Sequence, residues 1–207
     1  MRPQFPVAVI LLFSGLGCGK AVQAGNPASS TSKPAPLAAD MQTLGGADYR
    51  INIPKSWLAF DTKAMDAAAI KAKMKGTEFA PNFDAIKGML DMEMLRGFAF
   101  IPEFSNNILK ANLNIIVLPA GGTASAVLDA NEKQLKGLDP KFEIWEDFST
   151  LPDSRAMLWG KDPLKTLSVV TIQKDKQFVM TLSMHKDTDM AKVKTVMKPI
   201  INSFVVK

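Results

Sequence analysis

The chain has 207 residues, 47% hydrophobic and 22% charged, with 13 Gly and 13 Pro, a balance that fits one ordinary globular domain and excludes a fibrous, low-complexity or disordered chain. A single Cys excludes an internal disulfide framework and any multi-cysteine metal or iron–sulfur site, and a single His makes histidine catalysis depend on His185 alone. The net charge of +5 comes from 25 Lys and Arg against 20 Asp and Glu, with Lys interleaved among acids and only Arg50, Arg96 and Arg155 beyond Arg2, so the concentrated basic stripe that nucleic-acid binding needs is missing.

Residues 1–24 read as a secretory leader: a basic start at Arg2, an apolar stretch from Val7 to Leu16, then small residues. The stretch is far shorter than the roughly 20 residues that span a bilayer. Two processing readings stand. In the first, Cys18 is the lipidation site of a bacterial lipoprotein, because Leu16-Gly17-Cys18-Gly19 closes the apolar stretch with small residues around the thiol. This resembles a lipobox, with Gly15 where a large aliphatic residue is usual. In the second, cleavage follows Val22-Gln23-Ala24 and leaves a soluble periplasmic protein. Residues 25–47, rich in Ala, Ser, Pro, Gly and Thr, read as a flexible linker, and residues 48–207 as the folded domain.

Alternation of Tyr49, Ile51 and Ile53 with polar residues predicts a strand stopped by Pro54, followed by Trp57 as a lid on the core. Asp61 or Thr62 is an expected N-cap for a helix to Lys75, with Gly76 as its stop. A second helix is expected over 82–95, with Phe83, Ile86, Leu90 and Met94 on one stripe and Met89 and Met92 on the other face. Strands are predicted over 97–101 and 112–118, then a helix over 123–136 capped by Thr123, carrying Val127, Leu128, Asn131 and Leu135 inward and a Glu132–Lys136 pair outward. Four more strands are predicted over 141–148, 154–160, 164–173 and 177–185, with the hairpin tip at Lys174-Asp175-Lys176. A last helix runs over 187–204, with Met190, Val193, Met197, Ile200 and Phe204 on one stripe and a kink or break at Pro199. The loops between successive strands are too short for parallel crossovers, so the fold class is α+β with a mostly antiparallel sheet.

Tyr49-x-Ile51-x-Ile53-Pro54-x-x-Trp57, the strand Asn112-Leu113-Asn114-Ile115-Ile116-Val117 leading into a helix, the long antiparallel run, and a terminal helix closing on Ile200-Ile201-Asn202-Ser203-Phe204 together resemble the PsbP-like fold. That group includes DcrB-type bacterial lipoproteins, the photosystem II extrinsic subunit and a Ran-binding nuclear import factor. The resemblance implies an antiparallel sheet with helices on both faces, an α/β/α sandwich, in a protein that binds or assists others rather than catalyses. It supplies no motif from which a functional site can be transferred.

Chemistry-bearing residues are sparse. His185 is expected to be exposed at a strand-to-helix junction, with Ser183 and Asp187 as its conceivable partners in a triad, but no nucleophile elbow is present. Glu143, Glu146, Asp147 and Asp153 cluster in sequence, with strand alternation placing Glu146 opposite Glu143 and Asp147; a solvated face is the simpler reading than a cation site. Gly121-Gly122-Thr123 lacks the P-loop Lys and reads as a turn with an N-cap. Twelve Met, with Met89, Met92 and Met94 close together, make a soft surface suited to core packing, a partner groove or apolar ligand, or, as the least favoured reading, a thiophilic ion such as Cu(I). Trp145 and Trp159 fall on neighbouring strands, and Trp145 is offset from the apolar alternation of Phe142, Ile144 and Phe148, so it needs cover.

The sequence reading is therefore a non-enzymatic binding or assembly-accessory module of the cell envelope, joined to the membrane only through a lipid on Cys18. It takes an envelope protein partner, with no cofactor, no metal and no nucleic acid. Its contact candidates are Trp145, Trp159, Met89 and Met92. The alternative is a soluble periplasmic carrier or chaperone with an apolar cavity under the Met-rich helix.

Overall fold

The computed structural model describes residues 38–207; the leader over 1–24 with Cys18, and the linker over 25–37, lie outside the described residues. Seven strands form one antiparallel sheet in the order β3-β4-β5-β9-β8-β7-β6: β3 (Leu58–Asp61), β4 (Leu95–Phe100), β5 (Asn112–Pro119), β6 (Glu143–Ile144), β7 (Ser154–Trp159), β8 (Leu164–Gln173) and β9 (Lys176–His185). A second, three-stranded sheet places β2 (Tyr49–Pro54) between β1 (Met41–Leu44) and β10 (Val205–Val206). The α+β class and the antiparallel sheet stand as the sequence implied.

Strict alternation gives the large sheet two faces, each with its own apolar cluster. One carries Leu113, Ile115, Leu158, Leu167, Val169, Phe178, Met180 and Leu182, and packs on α4 (Met190–Asn202) and the small sheet through Val193, Met197, Ile200, Ile51 and Ile53. The other carries Phe60, Phe98, Phe100, Ile116, Met157, Trp159, Val170 and Val179. It packs on α1 (Ala67–Met74), α2 (Phe83–Leu90) and α3 (Ala124–Leu138) through Ile70, Met74, Ile86, Met89, Val127 and Leu135. Helices thus lie on both faces of the sheet.

α3 follows its sequence closely: Thr123 caps it by accepting from the Ala126 N–H, and Val127, Leu128, Asn131 and Leu135 are its buried residues. Other elements depart from expectation. Asp61 accepts from Lys63 N and Ala64 N in a turn, and the cap of α1 is Asp66, which accepts from Ala69 N at 2.7 Å. α2 stops at Leu90 because Leu95 is drawn into β4, so its buried stripe is Phe83, Ile86 and Met89 rather than one running through Leu90 to Met94. α4 starts after its Asp189 cap and continues through Pro199 to Asn202. Phe204, expected on the helical stripe, is instead buried between Tyr49 and Phe178.

The strand expected over 141–148 shortens to Glu143–Ile144, because the chain turns at Trp145–Phe148 with Asp147 in a left-handed conformation at φ 56°. β1 falls inside the segment read as linker, pairing Leu44 with Ile51 and Met41 with Pro54. β3 and β10 were not expected; β10 joins the chain end to β2 through Val205 opposite Arg50.

Candidate functional site

The early end of β6 opens a cleft at the sheet edge. β6 pairs with β7 only at Met157 and Leu158, and Trp145 N donates one further bond to Ala156 O at 2.9 Å. Beyond Ala156 the β7 edge continues at Ser154 and Arg155 without a neighbouring strand among the described residues. The turn at Trp145–Phe148 swings away from that edge, and the space left is a cleft of about 410 Å³. Ile144, Trp145, Glu146, Asp147, Arg155 and Glu132 are among its lining residues.

One side of the cleft is firmly held. The Trp145 ring packs against Phe148, with centroids 5.4 Å apart, and Lys194 of α4 lies 4.5 Å over its face as a cation–π contact. The opposite wall comes from α3. Arg155 donates to Asp129 at 3.0 Å and to Glu132 at 2.5 Å, and Glu132 also holds Lys136 one helical turn on. Those contacts balance Glu132 and fix Arg155 against the helix. Glu146 and Asp147, both exposed, have no ion-pair partner among the described residues. Three carboxylates against one guanidinium therefore line the cleft, an acidic patch on a chain whose overall charge is +5.

The four contact candidates taken from the sequence are not brought together. Trp145 packs with the α4 side of the sheet and borders the cleft, whereas Trp159 lies on the opposite face, buried under the α1–α3 layer, its indole N–H donating to Ser168 Oγ at 3.0 Å. Met89 is buried inside α2, and Met92 is half-buried in the turn that follows. The reason is strand alternation: one face takes even-numbered β7 residues such as Ala156 and Leu158, the other takes Met157 and Trp159, and the turn at 145–148 delivers Trp145 to the first of these. The Met-rich segment fills its own core, with Met74 and Met89 packed beside Ile70 and Ile86. Arg155 and Glu132 were missed as site residues; the sequence signal was the Glu132–Lys136 spacing, which shows the helix face but not the arginine that crosses to it.

His185 departs from its expected exposure. It is 6% exposed at the end of β9, and its Nδ1 lies 3.3 Å from Asp187 N and 3.4 Å from Asp187 Oδ2. Ser183 is buried two residues back, but its Oγ has no hydrogen-bond partner among the described residues, so the serine–histidine contact of a triad is not made. Among the described residues no group of three or more His, Cys, Asp or Glu is placed to hold a metal ion, and no helix is long and apolar enough to cross a membrane.

No family model matches the chain, and no curated protein matches it. Solved structures similar to it include the cyanobacterial PsbP of Synechocystis sp. PCC 6803, 16% identical with a TM-score of 0.44, covering 86% of this chain and 99% of that one. LpqN of Mycobacterium tuberculosis, a protein described as involved in cell envelope biogenesis, is 14% identical with a TM-score of 0.43, covering 81% of this chain and 90% of that one. A protein of Bacteroides thetaiotaomicron VPI-5482 is 10% identical with a TM-score of 0.40, covering 77% of this chain and 45% of that one.

Proposed function

We propose that the chain is a non-enzymatic binding module of the bacterial cell envelope that takes a cationic, extended segment of a protein partner into the cleft between β6, β7 and α3. The observation that carries this reading is the acidic cleft at an unpaired strand edge: Ala156 already bonds to Trp145 on that side, the backbone of Ser154 two residues back faces the same way with no strand against it among the described residues, and Glu146 and Asp147 supply uncompensated negative charge. Added strands gain affinity from main-chain hydrogen bonds and specificity from alternate side chains, while opposite charge raises the encounter rate. Envelope location rests on the N-terminal leader read as ending at a lipidated Cys18, with the Ala-, Ser- and Pro-rich stretch that follows as the tether.

The test is a titration of the full-length protein with a six-residue peptide of alternating Arg and Val, read at the indole resonance of Trp145. The expected result is a saturable shift that weakens as salt is raised and is lost in the Glu146→Lys, Asp147→Lys double variant. No shift, or an equal response to a peptide of alternating Glu and Val, overturns the reading.

A further inference from the structure

The face of the large sheet that packs on α1, α2 and α3 should be apolar at its centre, since a helical layer covers it. It is not. The strand registers align two rows across it. The first runs Phe100, Asn112, Ser183, Thr166, Trp159, and the second Phe98, Asn114, Thr181, Ser168, Met157. Each row is apolar at its two ends and polar in its three middle positions, so six contiguous positions on β5, β9 and β8 carry only Asn, Ser and Thr. The next row along the same strands, Ile116, Val179 and Val170, is apolar again.

Five of the six are no more than 3% exposed, and Thr181 is half-buried. Part of the block is internally satisfied: Asn114 Nδ2 donates to Asn112 Oδ1 at 3.2 Å, Asn112 Nδ2 to Lys110 O at 3.3 Å, and the Trp159 indole to Ser168 Oγ. Three atoms are not. Asn114 Oδ1, Thr166 Oγ1 and Ser183 Oγ are shielded from solvent and lack a partner among the described residues. Buried polar atoms are almost always paired, and three orphans within two adjacent rows point to a missing hydrogen-bonding group.

We infer that this block is the floor of a binding site for an uncharged, ring-sized small molecule bearing hydroxyl or amide groups. The chemistry follows from the orphans. The amide oxygen of Asn114 accepts only, so the complementary ligand must offer a donor; the hydroxyls of Thr166 and Ser183 both donate and accept, so a ligand that also carries an acceptor partners all three most fully. The six positions carry no formal charge, so an ionic ligand would lose its hydration without compensation. Two rows along the strands and three strands across span on the order of 7 by 10 Å, about the area of one six-membered ring with its substituents. The Phe98 and Phe100 rings on one side and Trp159 on the other border the polar floor. Because the orphaned atoms are covered, binding requires the layer above them to part.

The experiment titrates the full-length protein with myo-inositol, uracil and nicotinamide, with nicotinate as a charged counterpart, and follows the Trp159 indole and the Asn112 and Asn114 side-chain amides by NMR. The control is the Thr166→Val, Ser183→Ala variant, which removes two unpaired hydroxyls without adding volume; a melting temperature at or above that of the parent shows that it is folded. The expected result is a saturable shift at all three reporters with at least one neutral probe, weakened about tenfold or more in the variant, and none with nicotinate. Absence of a saturable shift with every neutral probe, equal affinity in the folded variant, or equal binding of nicotinate overturns the inference. None of these reporters lies in the acidic cleft, so failure here leaves the cleft reading standing.

Discussion

A Cβ placed on Gly97 would stand 2.3 Å from the hydroxyl oxygen of Tyr49. The two residues belong to different sheets, Tyr49 to β2 and Gly97 to β4, and the missing side chain on β4 is what lets the small sheet close on the large one. The Tyr49 ring is stacked on Phe204 with centroids 5.4 Å apart, so the contact also ties in the chain end. Gly97→Ala is expected to cost about 1–3 kcal/mol through overpacking. Tyr49→Phe removes the clashing atom together with a buried hydroxyl that has no partner among the described residues, and should by itself be neutral or mildly stabilising. In a urea-denaturation cycle, the double variant should recover at least half of the Gly97→Ala loss; additivity of the two effects would contradict the contact.

Burial also pushes the Tyr49 phenol well above its ordinary value, with the Asp61 carboxylate adding to the effect. The unfolded chain therefore releases this proton near pH 10 while the folded protein retains it. The stability involved is complete below about pH 10 and is lost as pH rises above it, by up to about 1.4 kcal/mol per pH unit. Denaturation midpoints measured between pH 9 and 11 should fall more steeply for the parent than for Tyr49→Phe. Equal slopes would show that the phenol titrates normally.

Asp48 supplies the acidic counterpart. A hydrogen bond from Lys176 at 2.6 Å holds its carboxyl below the usual range against the opposing effect of burial, with the charges of Lys176 and Arg96 assisting. The resulting stability is present above about pH 4, the unfolded value, and disappears as pH falls through the folded one. The pair is partly exposed, so Asp48→Asn should cost less than about 1 kcal/mol at pH 7. The parent–variant difference should close towards pH 2, as acid titrations followed by circular dichroism can establish.

At the far side of the sheet Asp139, just beyond α3, accepts from Gly160 N at 2.7 Å and from Lys141 N at 2.8 Å. Gly160 has φ +148° and stands against the Leu164 carbonyl, 2.5 Å from where a Cβ would lie. Asp139→Ala leaves the half-buried Gly160 N–H without its partner and should cost about 1–2 kcal/mol. Gly160→Ala should cost at least as much, since both the clash and the backbone conformation oppose it. Thermal melts of the two variants check the order.

α3, β8 and the inward face of α4 were legible in the sequence because each is long enough for its period to show. Leu164–Gln173 needed only its alternation and the turn at Lys174-Asp175, where both residues take positive φ. β1 and β10 were not legible, because four and two residues carry no period and their stability comes from β2 lying between them. The cleft was hidden for a related reason: Phe142, Ile144 and Phe148 mimic a continuing strand, and only the left-handed Asp147 ends it. The polar block was visible as Asn112-x-Asn114, Thr166-x-Ser168 and Thr181-x-Ser183, a pattern that reads as a solvated face until the helical layer is seen to cover it.

Charge reversal at Glu146 and Asp147 should lower the melting temperature by no more than about 4 °C, since both side chains are exposed and unpaired among the described residues and the main cost is holding Lys in the left-handed conformation of Asp147. The double variant is therefore a folded control for partner capture at the cleft. A photo-crosslinking residue placed at Ser154, with a second at exposed Lys87 on α2, would be introduced into the full chain in intact cells and the products mapped by peptide mass spectrometry. The expected product is one recurrent envelope partner joined through a basic, extended segment at Ser154, absent from Lys87 and lost when Glu146 and Asp147 are reversed. Diffuse products shared by both positions, or a partner unaffected by the reversal, would contradict it.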